Sequence, residues 1–328
     1  MKPTRLKTVL ESLLHQRWPA FVWGPPGVGK SSIVRAIAAQ RGLPVIDLRA
    51  SLLDPTDLRG IPAIENGRAV WCPPSFLPGP DAKPGVLFLD EINAAPPLVQ
   101  ASLYQLVLDR RVGEYELPPG WWIVAAGNRQ QDRAVTFRMS SALSNRFVHL
   151  DLEADVDDWR AWAIDKRLSP LVVSFIGVRP ALLLGEPGDT SAYPTPRSWE
   201  MASDVMHTMG GPKEAADVLP GVVGQAAAVE FAGYIKKAIN ERAIRKVVDD
   251  PRQAELPQDL DGTYMLTSWF AFHATDEEVS RAAAVLLERL PPEFGVVLAR
   301  DMMKARPAFI KEPGYKEFMK THGHLIAR

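Results

Sequence analysis

Five short apolar runs are spaced along the first half of the chain: AFVWG (20–24), PVIDLRA (44–50), GVLFLDE (85–91), WWIVAAGN (121–128) and RFVHLDL (146–152). Each has the length of a strand and stays apolar without strict alternation, the mark of a strand covered on both faces. Helical spacing fills some of the gaps. It predicts a helix over 31–42 and another over 97–110, with Leu98, Leu103, Leu106 and Val107 expected on one buried face. Buried strands alternating with helices predict a mainly parallel five-stranded sheet between helices. The opening stretch, MKPTRLKTVLESLL, starts basic but is interrupted by Glu11 and lacks a small-residue cleavage site, so it reads as a helix and not as a leader.

From about residue 153 the pattern becomes helical throughout. EADVDDWRAWAIDKRL opens on acidic residues and repeats apolar positions at helical spacing. PTPRSWEMASDVMHTMGG offers Thr195 as N-cap, Pro196 at the first helical position and a stop at Gly210–Gly211. Residues 213–249 read as a long helical stretch interrupted near Pro220–Gly221, and a break over 250–262 leads to further helices. Three segments are expected: an α/β domain over 1–152, a helical domain over 153–250 and a helical C-terminal extension over 251–328, whose last part carries no readable motif.

Composition narrows the class. At 46% hydrophobic and 23% charged, the chain is an ordinary globular sequence, and no apolar run approaches the roughly 18 residues of a membrane span. A single cysteine, Cys72, excludes an intrachain disulfide and a cysteine zinc cluster, which leads to the expectation of a cytoplasmic protein. His322 and His324 read as a solvated tail. Net charge is −1; residues 1–152 carry 17 Lys/Arg against 13 Asp/Glu and the remainder 21 against 26. That asymmetry is too mild to argue for a nucleic-acid partner.

The chemistry concentrates at strand ends. GPPGVGKSS (24–32) fits the phosphate-loop pattern GxxxxGK[ST] between a strand and a helix. Gly24, Gly27 and Gly29 let backbone N–H groups turn inward around phosphate oxygens, with Pro25, Pro26 and Val28 between them. Lys30 is expected to reach the β- and γ-phosphates, Ser31 to bind Mg²⁺, and Ser32 to complete the loop. LFLDEIN (87–93) delivers Asp90 and Glu91 to the tip of a buried strand; Asp90 suits the Mg²⁺ shell and Glu91 a general base acting on water. Asn128 ends the next strand and could position that water. GNRQQD does not match the guanine-reading NKxD tetrad, which favours ATP over GTP.

Taken in order, GPPGVGKSS, LFLDEIN, GNRQQD, SALSNRF and TPRSWE resemble the AAA+ ATPases, and within them the MoxR group, over about residues 20–200. The resemblance implies a P-loop AAA+ core followed by an all-helical lid and a helical extension. It implies that Asn128 is sensor 1, Arg146 the arginine finger and Arg197 sensor 2, with Arg138 a second trans-acting candidate. Residues 51–76 contain AIENGRAVW, which turns at Asn66–Gly67, and RRVGEYELPPG (110–120) reads as a second hairpin; both resemble the insertions of the MoxR clade. Arg146 is expected on the far side of the sheet order, too distant for its own phosphate loop, and so directed at a neighbouring subunit.

The implied function is ATP hydrolysis in a homo-oligomeric ring, a hexamer, that remodels or activates a partner, such as a protein with a von Willebrand factor A domain, in metal or cofactor insertion. The rivals are a DNA-associated motor and an ATP-dependent latch without significant hydrolysis. Neither hairpin is rich in basic residues, which argues against the first; Glu91 argues against the second.

Overall fold

All five apolar runs form strands in the computed structural model, which describes residues 1–129, 132, 137, 139–187, 192–237 and 240–326. The chain divides into two units, Met1–Ala154 and Asp155–Arg328. In chain order the first unit contains α1 (Pro3–Gln16), β1 (Ala20–Trp23), α2 (Lys30–Gln40), β2 (Val45–Arg49), α3 (Pro55–Arg59), β3 (Ile61–Glu65), β4 (Arg68–Cys72), β5 (Val86–Asp90), α4 (Pro97–Asp109), β6 (Arg111–Val112), β7 (Tyr115–Glu116), β8 (Trp122–Gly127), α5 (Ser141–Ser144) and β9 (Val148–Asp151).

Five strands form one parallel sheet in the order β2-β5-β8-β1-β9. Alternate residues feed two cores. Phe21, Leu87, Leu89, Ile123 and Ala125 pack with Leu103, Leu106 and Val107 of α4. Val22, Val86, Phe88, Trp122 and Val124 pack with Leu6 and Leu10 of α1 and with Ile33, Val34 and Ile37 of α2. Covering both faces is what lets these strands dispense with polar alternation. One sequence expectation fails here: Leu98 is 72% exposed, whereas Val99 is fully buried. The buried stripe runs Val99, Leu103, Leu106 and Val107, an i, i+4, i+7, i+8 set that Leu98 does not join.

The registers align the strand ends. Trp23 pairs with Gly127 and Asp151, and Arg49 with Asp90. The phosphate loop and the residues after β2, β5 and β8 therefore share one edge of the sheet, where open α/β sheets bind ligands.

Both expected hairpins are present. β3 and β4 pair antiparallel, and Glu65 faces Arg68 across a turn in which Asn66 (φ 52°) and Gly67 (φ 73°) are both left-handed, as a type I′ turn requires. The Trp71 amide donates to Glu114 Oε2 at 3.2 Å, linking this hairpin to the shorter β6–β7 pair. Tyr115 on β7 donates its hydroxyl to the Pro78 carbonyl at 2.9 Å, and burial pushes its pKa up to about 12.

The second unit is helical: α6 (Val156–Asp165), α7 (Pro170–Val178), α8 (Pro196–Met209), α9 (Pro220–Val223), α10 (Gln225–Lys237), α11 (Glu241–Asp249), α12 (Leu260–Phe272), α13 (Glu277–Leu286), α14 (Pro292–Ala305) and α15 (Pro313–Ile326). Thr195 and Ser198 form a reciprocal capping box at the start of α8, with Pro196 next and left-handed Gly210 closing the helix. Phe175, Trp199, Phe231 and Tyr234 form an aromatic cluster. A larger core draws on residues from 244 to 318 together with Leu171 of α7, so it spans position 250. Inside this unit Arg160 of α6 and Asp301 of α14 form an ion pair at 2.7 Å, with side chains only 2% and 1% exposed. No helix among the described residues is long and apolar enough to cross a membrane.

Candidate active site

The phosphate loop is shaped by two different demands on glycine. Gly29 caps α2 with φ 103°, a conformation that L side chains rarely adopt. Gly24 is constrained by space instead: a Cβ there would lie 3.0 Å from the Leu152 carbonyl oxygen. The Gly24 amide is spent on the Gly127 carbonyl at 3.3 Å, which ties the loop to the end of β8. Beyond Gly29, the first turn of α2 presents backbone N–H groups and the positive end of the helix dipole, the ordinary setting for an anion.

Lys30 is the centre of the arrangement. Its ammonium donates to the carbonyls of Gly24 (2.6 Å) and Pro25 (3.1 Å) and to Asn128 Oδ1 (2.8 Å). One side chain thus joins both ends of the loop to the tip of β8. Ser31 is half-buried and Ser32 exposed on the first turn of α2.

Asp90 and Glu91 follow β5. Burial, then the neighbouring Asp47 and Glu91 carboxylates, hold the Asp90 carboxyl above its ordinary range, against the pull of the Glu91 N–H and the Lys30 ammonium. Asp47 gives one oxygen to Arg35 at 2.5 Å, while its Oδ1 is buried without a partner. Surplus negative charge and an orphaned carboxylate oxygen are what a cation would relieve, so the donor set fits Mg²⁺. Glu91 is held in the left-handed region (φ 55°), and its Oε2 accepts the Ser51 hydroxyl at 2.7 Å. Behind it, buried Asn93 donates from Nδ2 to the Asn128 carbonyl at 2.7 Å and fixes the tip of β8. Gly127 makes that approach possible, since a Cβ there would lie 2.3 Å from Asn93 Oδ1.

Arg146 lies just before β9, exposed, and its side chain has no hydrogen-bond or ion-pair partner among the described residues. Its expected position needs correction. β9 is not across the sheet from the phosphate loop; it is the immediate neighbour of β1. Separation arises along the strands, because Val148 pairs with Ala20 at the opening of β1 while the loop leaves from its other end. The four paired residues span roughly 13 Å at strand rise. Arg197 is the second residue of α8 in the other unit and is exposed. Arg138, and Gln130 and Gln131 of the GNRQQD stretch, lie outside the described residues.

Lys30, Asp90, Glu91 and Asn128 are therefore brought to one edge. Sequence reasoning missed Ser51, Asp47 and Asn93. Asn93 sits within the LFLDEIN stretch and could have been found there; Ser51 and Asp47 depend on the pairing of β2 with β5, which no local pattern gives.

Residues 19–147 match the family model of the AAA domain, dynein-related subfamily. No curated protein matches the chain in sequence. Among solved structures, NtrX from Brucella abortus in complex with ADP is similar at 14% identity and a TM-score of 0.45, over 98% of this chain and 68% of that one. The Thermotoga maritima RuvB Holliday junction branch migration motor is similar at 15% identity and a TM-score of 0.33, over 98% and 87% of the two chains. These two likenesses are too distant to add to what the family match and the sheet order establish. Those place an AAA domain over residues 19–147, within an α/β P-loop core that a helical C-terminal part follows.

Proposed function

We propose that the chain binds and hydrolyses ATP at interfaces of a homo-oligomeric ring and uses the cycle, in the manner of the MoxR group, to remodel or activate a partner protein. The observation that carries the reading is the Lys30 ammonium, bonded at once to the phosphate loop and to Asn128. A polyphosphate in the loop would offer this ammonium charge-assisted hydrogen bonds. Filling the loop thus draws Lys30 onto phosphate and releases the Asn128 amide to orient water.

In this reading the backbone of Gly27 and Gly29 and the start of α2 hold the phosphates, while Gly24, whose amide is bonded to the Gly127 carbonyl, anchors the loop to β8. Ser31 and Asp90 would hold Mg²⁺, which when bound neutralises phosphate charge. Glu91 accepts the proton of the attacking water, and Asn128 orients that water. Arg146 serves the nucleotide of a neighbouring subunit, and Arg197 is the sensor 2 arginine that the resemblance implies. A hexameric ring, a partner with a von Willebrand factor A domain, a role in metal or cofactor insertion and a cytoplasmic setting belong to the same proposal, as does the division of the helical unit into a lid and an extension near residue 250.

Phosphate release and nucleotide binding test it together. Lys30→Ala should lose both. Glu91→Gln should keep binding and lose turnover, and in ATP it should trap the partner for identification. Wild-type turnover in Glu91→Gln would remove Glu91 from its role. Activity per subunit should rise with protein concentration; a fully active monomer would remove the ring.

A further inference from the structure

We infer that His149 is a positioning residue for Arg146, stapling the turn that presents the arginine; this rests on the trans role proposed for Arg146 above. His149 lies on β9 and is gripped from two sides. Trp23 Nε1–H donates to His149 Nδ1 at 2.8 Å. An indole nitrogen can only donate, so Nδ1 must be the unprotonated nitrogen of a neutral ring. The proton is then on Nε2, which donates to the Ser144 carbonyl at 2.7 Å. The two contacts select one tautomer.

That second bond closes a loop from Ser144 to His149, and Arg146 lies inside it. The backbone alone holds this turn weakly. α5 is four residues long, far below the length at which a helix is stable by itself, and the amides of Arg146 and Phe147 reach Leu143 and Ser144 at 3.2 and 3.3 Å. His149 supplies the side-chain tie across it. The imidazole is backed by the Trp23 ring (centroids 5.9 Å apart, 19° between planes), which is itself stacked on Phe21 at 4.1 Å. Trp23 immediately precedes Gly24. The staple therefore hangs from the strand that carries the phosphate loop, so the arginine offered outward is set by the same strand that holds the chain's own nucleotide.

Subunit mixing tests this directly. A donor subunit carrying Lys30→Ala keeps Arg146 but cannot turn over ATP; an acceptor carrying Arg146→Ala keeps its phosphate loop. Activity of the full-length mixture reports the donated arginine. Adding His149→Ala to the donor should lower the rescued rate about fivefold, the effect of one lost hydrogen bond. Adding it to the acceptor should leave the rate within about twofold, on the same scale. His149→Gln in the donor should preserve rescue, because its amide nitrogen falls where Nε2 was and can donate to Ser144. His149→Asn should not, since its amide reaches only as far as Nδ1. Full rescue by the His149→Ala donor, or equal losses in donor and acceptor, would overturn the inference by showing no role or a general structural one. Failure of the unsubstituted pair to rescue at all would overturn the trans reading of Arg146, and the inference with it.

Discussion

The Ser51 hydroxyl donates to Glu91 Oε2 at 2.7 Å, across forty positions of sequence. Ser51 stands just beyond β2 and Glu91 just beyond β5, and the pairing of those two strands makes the contact. Glu91 is already fixed by its left-handed backbone, so the hydroxyl sets the remaining freedom of the carboxylate. Ser51→Ala should leave ATP affinity unchanged and lower turnover about tenfold or more, as expected for one hydrogen bond to a carboxylate of about 1.5–3 kcal/mol. Steady-state kinetics separate the two; a rise in turnover would mean that Ser51 restrains Glu91 instead of aiming it.

Asp90 sets stability against function. Its raised carboxyl favours the neutral form in the folded chain, chiefly through burial and then through Asp47. The stability it contributes is complete below its ordinary value of 3.8 and is lost as the pH climbs through the raised value. Asp90→Asn, neutral at every pH, should therefore melt roughly 1–3 °C higher than wild type near neutral pH in EDTA, with the gain vanishing at acid pH. The same variant should lose Mg²⁺-dependent turnover. Calorimetry across pH decides the first point; an unchanged midpoint at neutral pH would contradict it.

The buried Arg160–Asp301 pair makes the helical unit depend on its far end. Asp301→Ala would strand a guanidinium whose Nε already has no partner and whose other neighbour is the Tyr264 ring, 5.2 Å away. Removing one partner of such a pair costs about 3–5 kcal/mol. Urea unfolding should show that loss, and the double variant Arg160→Met with Asp301→Leu should recover much of it. Deletion of residues beyond 250 should unfold the rest of the unit.

Cutting residues 64–69 of the β3–β4 hairpin back to a tight two-residue turn should spare most ATP hydrolysis, because the tip makes no hydrogen bond to the phosphate loop among the described residues. It should abolish work on the partner. Ile64 is 84% exposed and residues 65–69 are exposed with it, so the shortened chain should also be no less stable. Unchanged partner activation would remove the hairpin from that role.

Much of this was legible in the sequence wherever information is local. Strand existence, the Asn66–Gly67 turn, the Thr195 cap and the phosphate loop each follow from neighbouring residues, whose φ preference, capping chemistry or burial is written in a few letters. Strand order was expected only through resemblance, and the place of Arg146 within it was misjudged, because which edge a strand joins depends on partners a hundred residues away. The Lys30–Asn128, Ser51–Glu91 and Trp23–His149 contacts were invisible for the same reason. Leu98 failed differently: adjacent Leu98 and Val99 offer two helical phases, and only the packed sheet selects one.

The parallel pairing of β1 has a consequence for synthesis. β1 is buried between β8 and β9, so its neighbours lie about a hundred residues downstream, at Val124 and Val148. On a ribosome working at roughly 5–20 residues per second, AFVW and the loop behind it wait for some 5–25 seconds without a lateral partner. During that interval β2 and β5 emerge first and can pair with each other, but the apolar β1 segment has no sheet to join. The nascent chain is then most exposed to aggregation through the strand that later carries the phosphate loop, and slowing elongation before residue 122 should lengthen that window.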